Sequence, residues 1–226
     1  NNTMALGRKK QDIEGELLVL RLRTKDDKDV DIVPAVFAIS KKKDSGEWEV
    51  LQKTETGVSG RLFRLDTGKG EYDGKPYKTV KLYLVDSEAK ETYLLDLRYN
   101  LLSRNLYNSL INLPNLKDNI SISLYKTSNK ETKKEYSNIS LWQNDALVKG
   151  KFSSVELPKP EELKNSKGDV VQKDFSNLDE FFENHLKEFS KRIKEAGVVN
   201  SAHSENTTNS SEPLFENNPT QGRNLI

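Results

Sequence analysis

No cysteine occurs anywhere in the chain, which excludes disulfides and thiolate nucleophiles. Histidine is nearly as scarce. His185 and His203 are the only two, and both lie toward the C-terminus. A zinc site or a histidine-based catalytic pair therefore has little to be built from. No apolar run reaches the roughly 20 residues that a spanning helix needs, and no leader of the secretory type opens the sequence. The reading is a cytoplasmic protein with no membrane partner and no cofactor. An excess of one charge is also lacking: 36 Lys plus Arg stand against 35 Asp plus Glu in 226 residues, for a net charge of +1.

The charges are unevenly placed, however. Through residue 152 there are 27 Lys plus Arg and 22 Asp plus Glu; beyond it there are 9 and 13. A mildly basic body with a mildly acidic tail fits a polyanion binder whose tail avoids the ligand. Asn1-Asn2-Thr3 ahead of Met4 reads as a remnant of expression. Residues 1–14, with Arg8, Lys9 and Lys10, read as a flexible arm.

Residues 78–152 organise the rest. Val80, Leu82 and Leu84 alternate with Lys81 and Tyr83, which is the two-residue period of a half-buried strand. Residues 91–98 make a second such run, and the polar turn between them predicts a hairpin. In 100–113 the period changes. Leu102, Leu106, Leu110 and Leu113 form one helical stripe, ended by Pro114. Alternation then returns in Ile120, Ile122 and Leu124, in Ile139 and Leu141, and in Ala146 to Phe152, where Lys149 and Lys151 oppose Val148 and Phe152.

Upstream, Leu17 to Arg23, Val30 to Ile39, Glu47 to Lys53 and Val58 to Asp66 read as further strands. Pro34 marks an edge or a bulge in the second of these. In the last, Arg61 and Phe63 share a face with Leu65. Thr67 to Pro76 contains Gly68, Gly70 and Gly74. A phosphate loop would need glycine where Lys69 stands and a hydroxyl where Pro76 stands. The stretch reads instead as a mobile loop that mixes Tyr72 and Tyr77 with Lys69, Lys75 and Lys78. Strands, one helix and then more strands predict a mainly β fold: an OB-like five-stranded Greek-key barrel with one short helix, over residues 15–152.

Beyond the barrel, 153–175 reads as a linker. Residues 176–197 predict an amphipathic helix, capped by Ser176 and stopped by Gly197. Its stripe, which includes Phe181 and Phe189, must be buried on its own domain, on a second copy or on a partner. Residues 198–226 read as a disordered tail. Within it, Leu214 and Phe215 form a short acidic-apolar cluster suited to docking.

No nucleophile–base pair or metal-ligand spacing appears, so the reading is non-catalytic. Outward aromatics interleaved with cations suit single-stranded nucleic acid, because rings stack on bases while Lys and Arg neutralise phosphates. The candidate contacts are Arg61, Phe63, Tyr72, Tyr77, Lys81, Tyr83, Tyr125, Lys126, Trp142, Lys149 and Lys151. The alternative is a viral structural or scaffold protein that makes protein contacts only.

Five pieces carry a family resemblance. They are Tyr72-Asp-Gly-Lys-Pro-Tyr, Val80-Lys-Leu-Tyr-Leu, Leu101-Leu-Ser-Arg-Asn-Leu, Ile120-Ser-Ile-Ser-Leu-Tyr-Lys and Leu157-Pro-Lys-Pro-Glu. In this layout, over about residues 15–160, the chain resembles phage-type single-stranded DNA-binding proteins. The resemblance implies an oligonucleotide-binding barrel that coats single-stranded DNA, with RNA as the other polymer it would admit. It also implies a C-terminal region, here including Phe181, Phe189, Leu214 and Phe215, that recruits replication or recombination proteins. The tail departs from the pattern: its acids are sparse and Phe215 lies well inside it.

Overall fold

The computed structural model of the protein describes residues 16–72 and 74–205. Among these, nine strands form one mixed sheet. They are β1 (Glu16–Lys25), β2 (Asp31–Lys42), β3 (Trp48–Glu55), β4 (Gly57–Tyr72), β5 (Lys75–Asp86), β6 (Glu91–Arg98), β7 (Asn119–Ser128), β8 (Glu135–Gln143) and β9 (Ala146–Leu147). Their order is β3-β2-β1-β6-β5-β4-β7-β8-β9. Every pairing is antiparallel except β1 with β6, which run parallel.

The fold is mainly β, as the alternation predicts, but the five-stranded barrel is not what forms. The N-terminal hairpin β1–β2 sits beside β6 and widens the sheet, and no backbone ladder closes it. It curls far enough for β2 to lie against both β7 and β8, where Ser137 Oγ accepts the Ala35 N–H at 2.7 Å and donates to the Ile32 carbonyl at 3.2 Å. Pro34 lies between these two contacts. There β2 leaves its β1 ladder, whose register shifts between Arg23 and Lys25.

Two local details redirect the expected faces. The β4–β5 register slips between Leu62 and Arg64, so Leu62 and Leu65 both point inward, opposite Leu84 and Leu82. An extra residue in a strand reverses the faces beyond it. Phe63 and Leu65 therefore do not share a face. In addition, the glycine-bearing stretch 67–76 is not a loop. Thr67 to Tyr72 pairs residue by residue with Val80 to Lys75, which makes β4–β5 one long two-stranded arm.

Helix α1 (Leu101–Ile111) follows β6 and is fixed by a reciprocal cap. Asn100 Oδ1 accepts the Ser103 N–H, and Ser103 Oγ accepts the Asn100 N–H. Both bonds satisfy backbone donors that a helix start leaves open. Residues 148–152 leave β9 and run along α1. They are held by Asn108, which bonds both the N–H and the carbonyl of Phe152. The expected linker contains a small separate hairpin, β10 (Glu161–Lys164) with β11 (Val170–Asp174).

Helix α2 (Ser176–Glu205) runs through Gly197 rather than stopping there. Its stripe packs on the protein's own sheet. Phe182, Leu186, Phe189 and Ile193 are buried in the same core as Leu65, Val80, Leu82 and Tyr107. Ser190 Oγ donates to the Leu65 carbonyl at 2.6 Å. Arg104 of α1 pairs with Asp179 at 2.7 Å, and Lys78 of β5 with Glu183 at 2.7 Å. Phe189 is therefore a core residue and not a partner contact. Phe181 is half-buried against the Phe152 and His185 rings, at 4.9 and 4.4 Å between centroids. Leu214 and Phe215 lie outside the described residues.

Candidate nucleic-acid interface

The outer face of the sheet divides into two surfaces of different chemistry. The first covers β1, β6, β5 and β4. Its central row reads Arg21, Asp96, Lys81, Asp66 across four neighbouring strands. Opposite charges directly across a sheet stabilise one another. Lys81 stands between two aspartates, so a phosphate brought to it also meets their carboxylates, which themselves pair with Arg21 and Arg64. Asp96 also accepts from Thr79 Oγ1 at 2.6 Å, and Arg64 pairs with Asp66.

The aromatics of this surface are similarly engaged. Tyr83 is half-buried, 6.1 Å from the Phe63 ring and 4.7 Å from the Arg64 guanidinium. Burial pushes its hydroxyl pKa up; Arg64 opposes that shift. Tyr77 lies against Gly70, where a Cβ would come 2.5 Å from its ring. The Arg98 guanidinium sits 3.9 Å from the centre of the same ring. Arg61 is half-buried at the junction where β4 passes from β5 to β7. Tyr72 pairs through its backbone with Lys75 at the tip of the arm.

The second surface is the outer face of β7 and β8. Ile120, Ile122 and Leu124 point into the core, as does Leu141. Their neighbours must then point out. Ser121 lies opposite Trp142, Ser123 opposite Ser140, Tyr125 opposite Asn138 and Thr127 opposite Tyr136. Trp142 is 39% exposed, Tyr125 45% and Tyr136 47%. The floor between them is hydroxyls and an amide. Ser59 of β4 bonds Ser121 at 2.9 Å, the Trp142 indole N–H donates to Ser140 Oγ at 2.9 Å, and Asn138 donates to Thr127 Oγ1 at 2.7 Å. Leu147, half exposed, stands beside Trp142 on β9.

Beyond this face, the β7–β8 loop carries Lys130, Lys133 and Lys134 around Glu131. None of these three lysines forms an ion pair among the described residues. Lys126, by contrast, is held by Glu135 at 2.8 Å. Lys149 and Lys151 are exposed but lie past β9, on the segment bonded to α1.

The structure thus separates the candidates expected to act together. Tyr125 and Trp142 share an open face; Phe63, Lys81 and Tyr83 lie on the surface of paired charges; Tyr72 and Tyr77 are on the arm. Tyr136 joins the open face although the sequence reading passed over it. Its signal was present: the outward positions Trp142 and Ser140, continued backward in steps of two, reach Asn138 and Tyr136. Among the described residues no group of three or more His, Asp or Glu side chains is placed to hold a metal ion. No described helix is long and apolar enough to cross a membrane. Comparison with protein-family models, with curated proteins and with solved structures returns no match.

Proposed function

We propose that this chain binds single-stranded nucleic acid without catalysis, with DNA as the first polymer to test, and coats strands exposed during replication or recombination. One observation carries the reading. Trp142, Tyr125 and Tyr136 stand exposed in a line on a hydroxyl-rich sheet face that is backed by the core. Exposed rings accept any base by stacking, and cations nearby hold phosphates. The topology supports the same reading. β4, β5, β6, α1, β7 and β8 keep a strand–strand–strand–helix–strand–strand order, and β7 returns to pair with β4. That is the order of an oligonucleotide-binding barrel, with the three upstream strands β1, β2 and β3 added beyond β6. The tail, with Leu214 and Phe215, completes the reading as a docking peptide for replication or recombination proteins.

A second reading, a non-catalytic structural or scaffold protein, is favoured by apolar side chains away from this face. Val155 and Val171 are exposed, and so is Leu163 of the β10–β11 hairpin. Titration with oligo-dT at low and high salt separates the two. Single-strand binding predicts an affinity that falls steeply as salt rises, because bound phosphates release counterions. Each ring that stacks a base contributes about 1–3 kcal/mol. Replacing Trp142 and Tyr125 together by Ala should therefore cost about 2–6 kcal/mol of binding, with the far-UV circular dichroism unchanged. A folded double variant with undiminished affinity removes this face as the site.

A further inference from the structure

We infer that the nucleic acid runs lengthwise along the β7–β8 hairpin, its phosphates drawn to the lysine loop at the hairpin's end, and not across the sheet over β4, β5 and β6. The inference rests on the single-strand reading above and adds a path to it.

The rings set the direction. Trp142 is in the row with Ser121, Tyr125 two rows along and Tyr136 one row further. A row is two residues, or about 7 Å, so the three platforms span about 20 Å along the strands. Taken across the strands, the Trp142 row offers Leu147 on one side and Ser121 and Ser59 on the other, and no second ring. Hydroxyls can bond to a strand but give a base nothing to stack on.

The cations point the same way. The β7–β8 ladder ends at Ser128 and Glu135. Immediately beyond it come Lys130, Lys133 and Lys134, with Glu131 the one acid of the loop between them. Crosswise, a strand would meet the row of Arg21, Asp96, Lys81 and Asp66, in which cations and carboxylates alternate. Each phosphate placed there beside a lysine would also sit beside an aspartate. Repulsion from the carboxylate would offset the attraction. Tyr83 and Phe63, half-buried beside each other, present less open ring than Trp142, Tyr125 and Tyr136 do.

Binding of oligo-dT, followed as a function of salt, tests the path. Each lost phosphate contact lowers the slope of log affinity against log salt by about 0.7 for a single strand. The variant K130A/K133A/K134A should therefore lose about 2 from that slope. Tyr136→Ala should weaken binding by about 5- to 150-fold, as a stacking platform would. Phe63→Ala and Lys81→Ala should leave affinity within about twofold. The lengthwise path is overturned if Phe63→Ala and Lys81→Ala weaken binding while the triple-lysine variant keeps the parent slope. An unmodified chain that binds no oligo-dT even at low salt overturns the single-strand reading itself, a different result from a misplaced path.

Discussion

Helix α2 supplies a large share of the buried core, and its removal is the perturbation with the largest calculable effect. Phe182, Leu186, Phe189 and Ile193 are each between 0 and 3% exposed, against the inner side of β4 and against α1. Full burial of one such side chain contributes about 1.5–3 kcal/mol, so the four contribute about 6–12 kcal/mol. A domain of this size is stable by only about 5–15 kcal/mol in total. A chain ending at Pro160 would expose Leu65, Leu106 and Tyr107 and lose most of that margin. Urea unfolding monitored by circular dichroism should show no cooperative transition for residues 1–160, where the full chain shows one. Phe189→Ala offers a graded version, with an expected loss of about 3–5 kcal/mol. A shortened chain that unfolds cooperatively at the parent midpoint would refute the docking of α2. So would a Phe189→Ala variant as stable as the parent but deficient in partner recruitment.

Two further perturbations probe the frame around the site. A Cβ at Gly60 would lie 2.8 Å from the Val85 carbonyl oxygen and 3.0 Å from its carbon, and neither atom can swing aside. Gly60→Ala should cost about 1–3 kcal/mol, read as a lower urea midpoint; an unchanged midpoint would show that β4 and β5 can separate there. Glu183 is held below the ordinary glutamate value of 4.5 by hydrogen bonds from Lys187 and Lys78. A carboxylate depressed on folding adds stability that is complete above its unfolded value and is lost as pH falls through the folded one. The urea midpoint should therefore decline below about pH 4.5, and Glu183→Gln should flatten part of that decline. An identical acid profile in the variant would count against the Lys78–Glu183 contact.

Local alternation was enough to find the strands. Eight of the nine runs read as strands match strands of the sheet, but Ala146 to Phe152 is a strand only at Ala146–Leu147, because the segment after it is drawn onto α1 by Asn108. Leu102, Leu106 and Leu110 mark α1, and the Phe182–Leu186–Phe189–Ile193 stripe marks α2. Pairing was a different matter. The parallel contact of β1 with β6 joins residues 75 positions apart in the chain, and no local pattern encodes it. Nine strands cannot be held by a five-stranded barrel, yet only that long-range contact says where β1, β2 and β3 go. The arm was missed for a related reason. Glycines at 68 and 70 read as loop because glycine is poor in strands. Here Gly70 is the position that gives room to the Tyr77 ring on the facing strand, while Gly68 simply pairs with Thr79. Helix α2 runs through Gly197 because a glycine inside a helix costs only about 1 kcal/mol.

The site was legible as far as direction and no further. Alternation puts Tyr83 and Lys81 outward as surely as it puts Trp142 and Tyr125 outward, and all four do point away from the core. What separates them is the neighbouring strand. Across from Lys81 stand Asp66 and Asp96; across from Tyr83 stands Arg64, with Phe63 folded over by the bulge. On the β7–β8 ladder serine and asparagine stand across from Trp142 and Tyr125, too small to cover a ring, and Trp142 stays 39% exposed beside Leu147 of β9. Whether an outward residue is available to a ligand is thus a property of the register. The short polar side chains of β7 and β8, unremarkable when read one strand at a time, are what leave three rings open in a line.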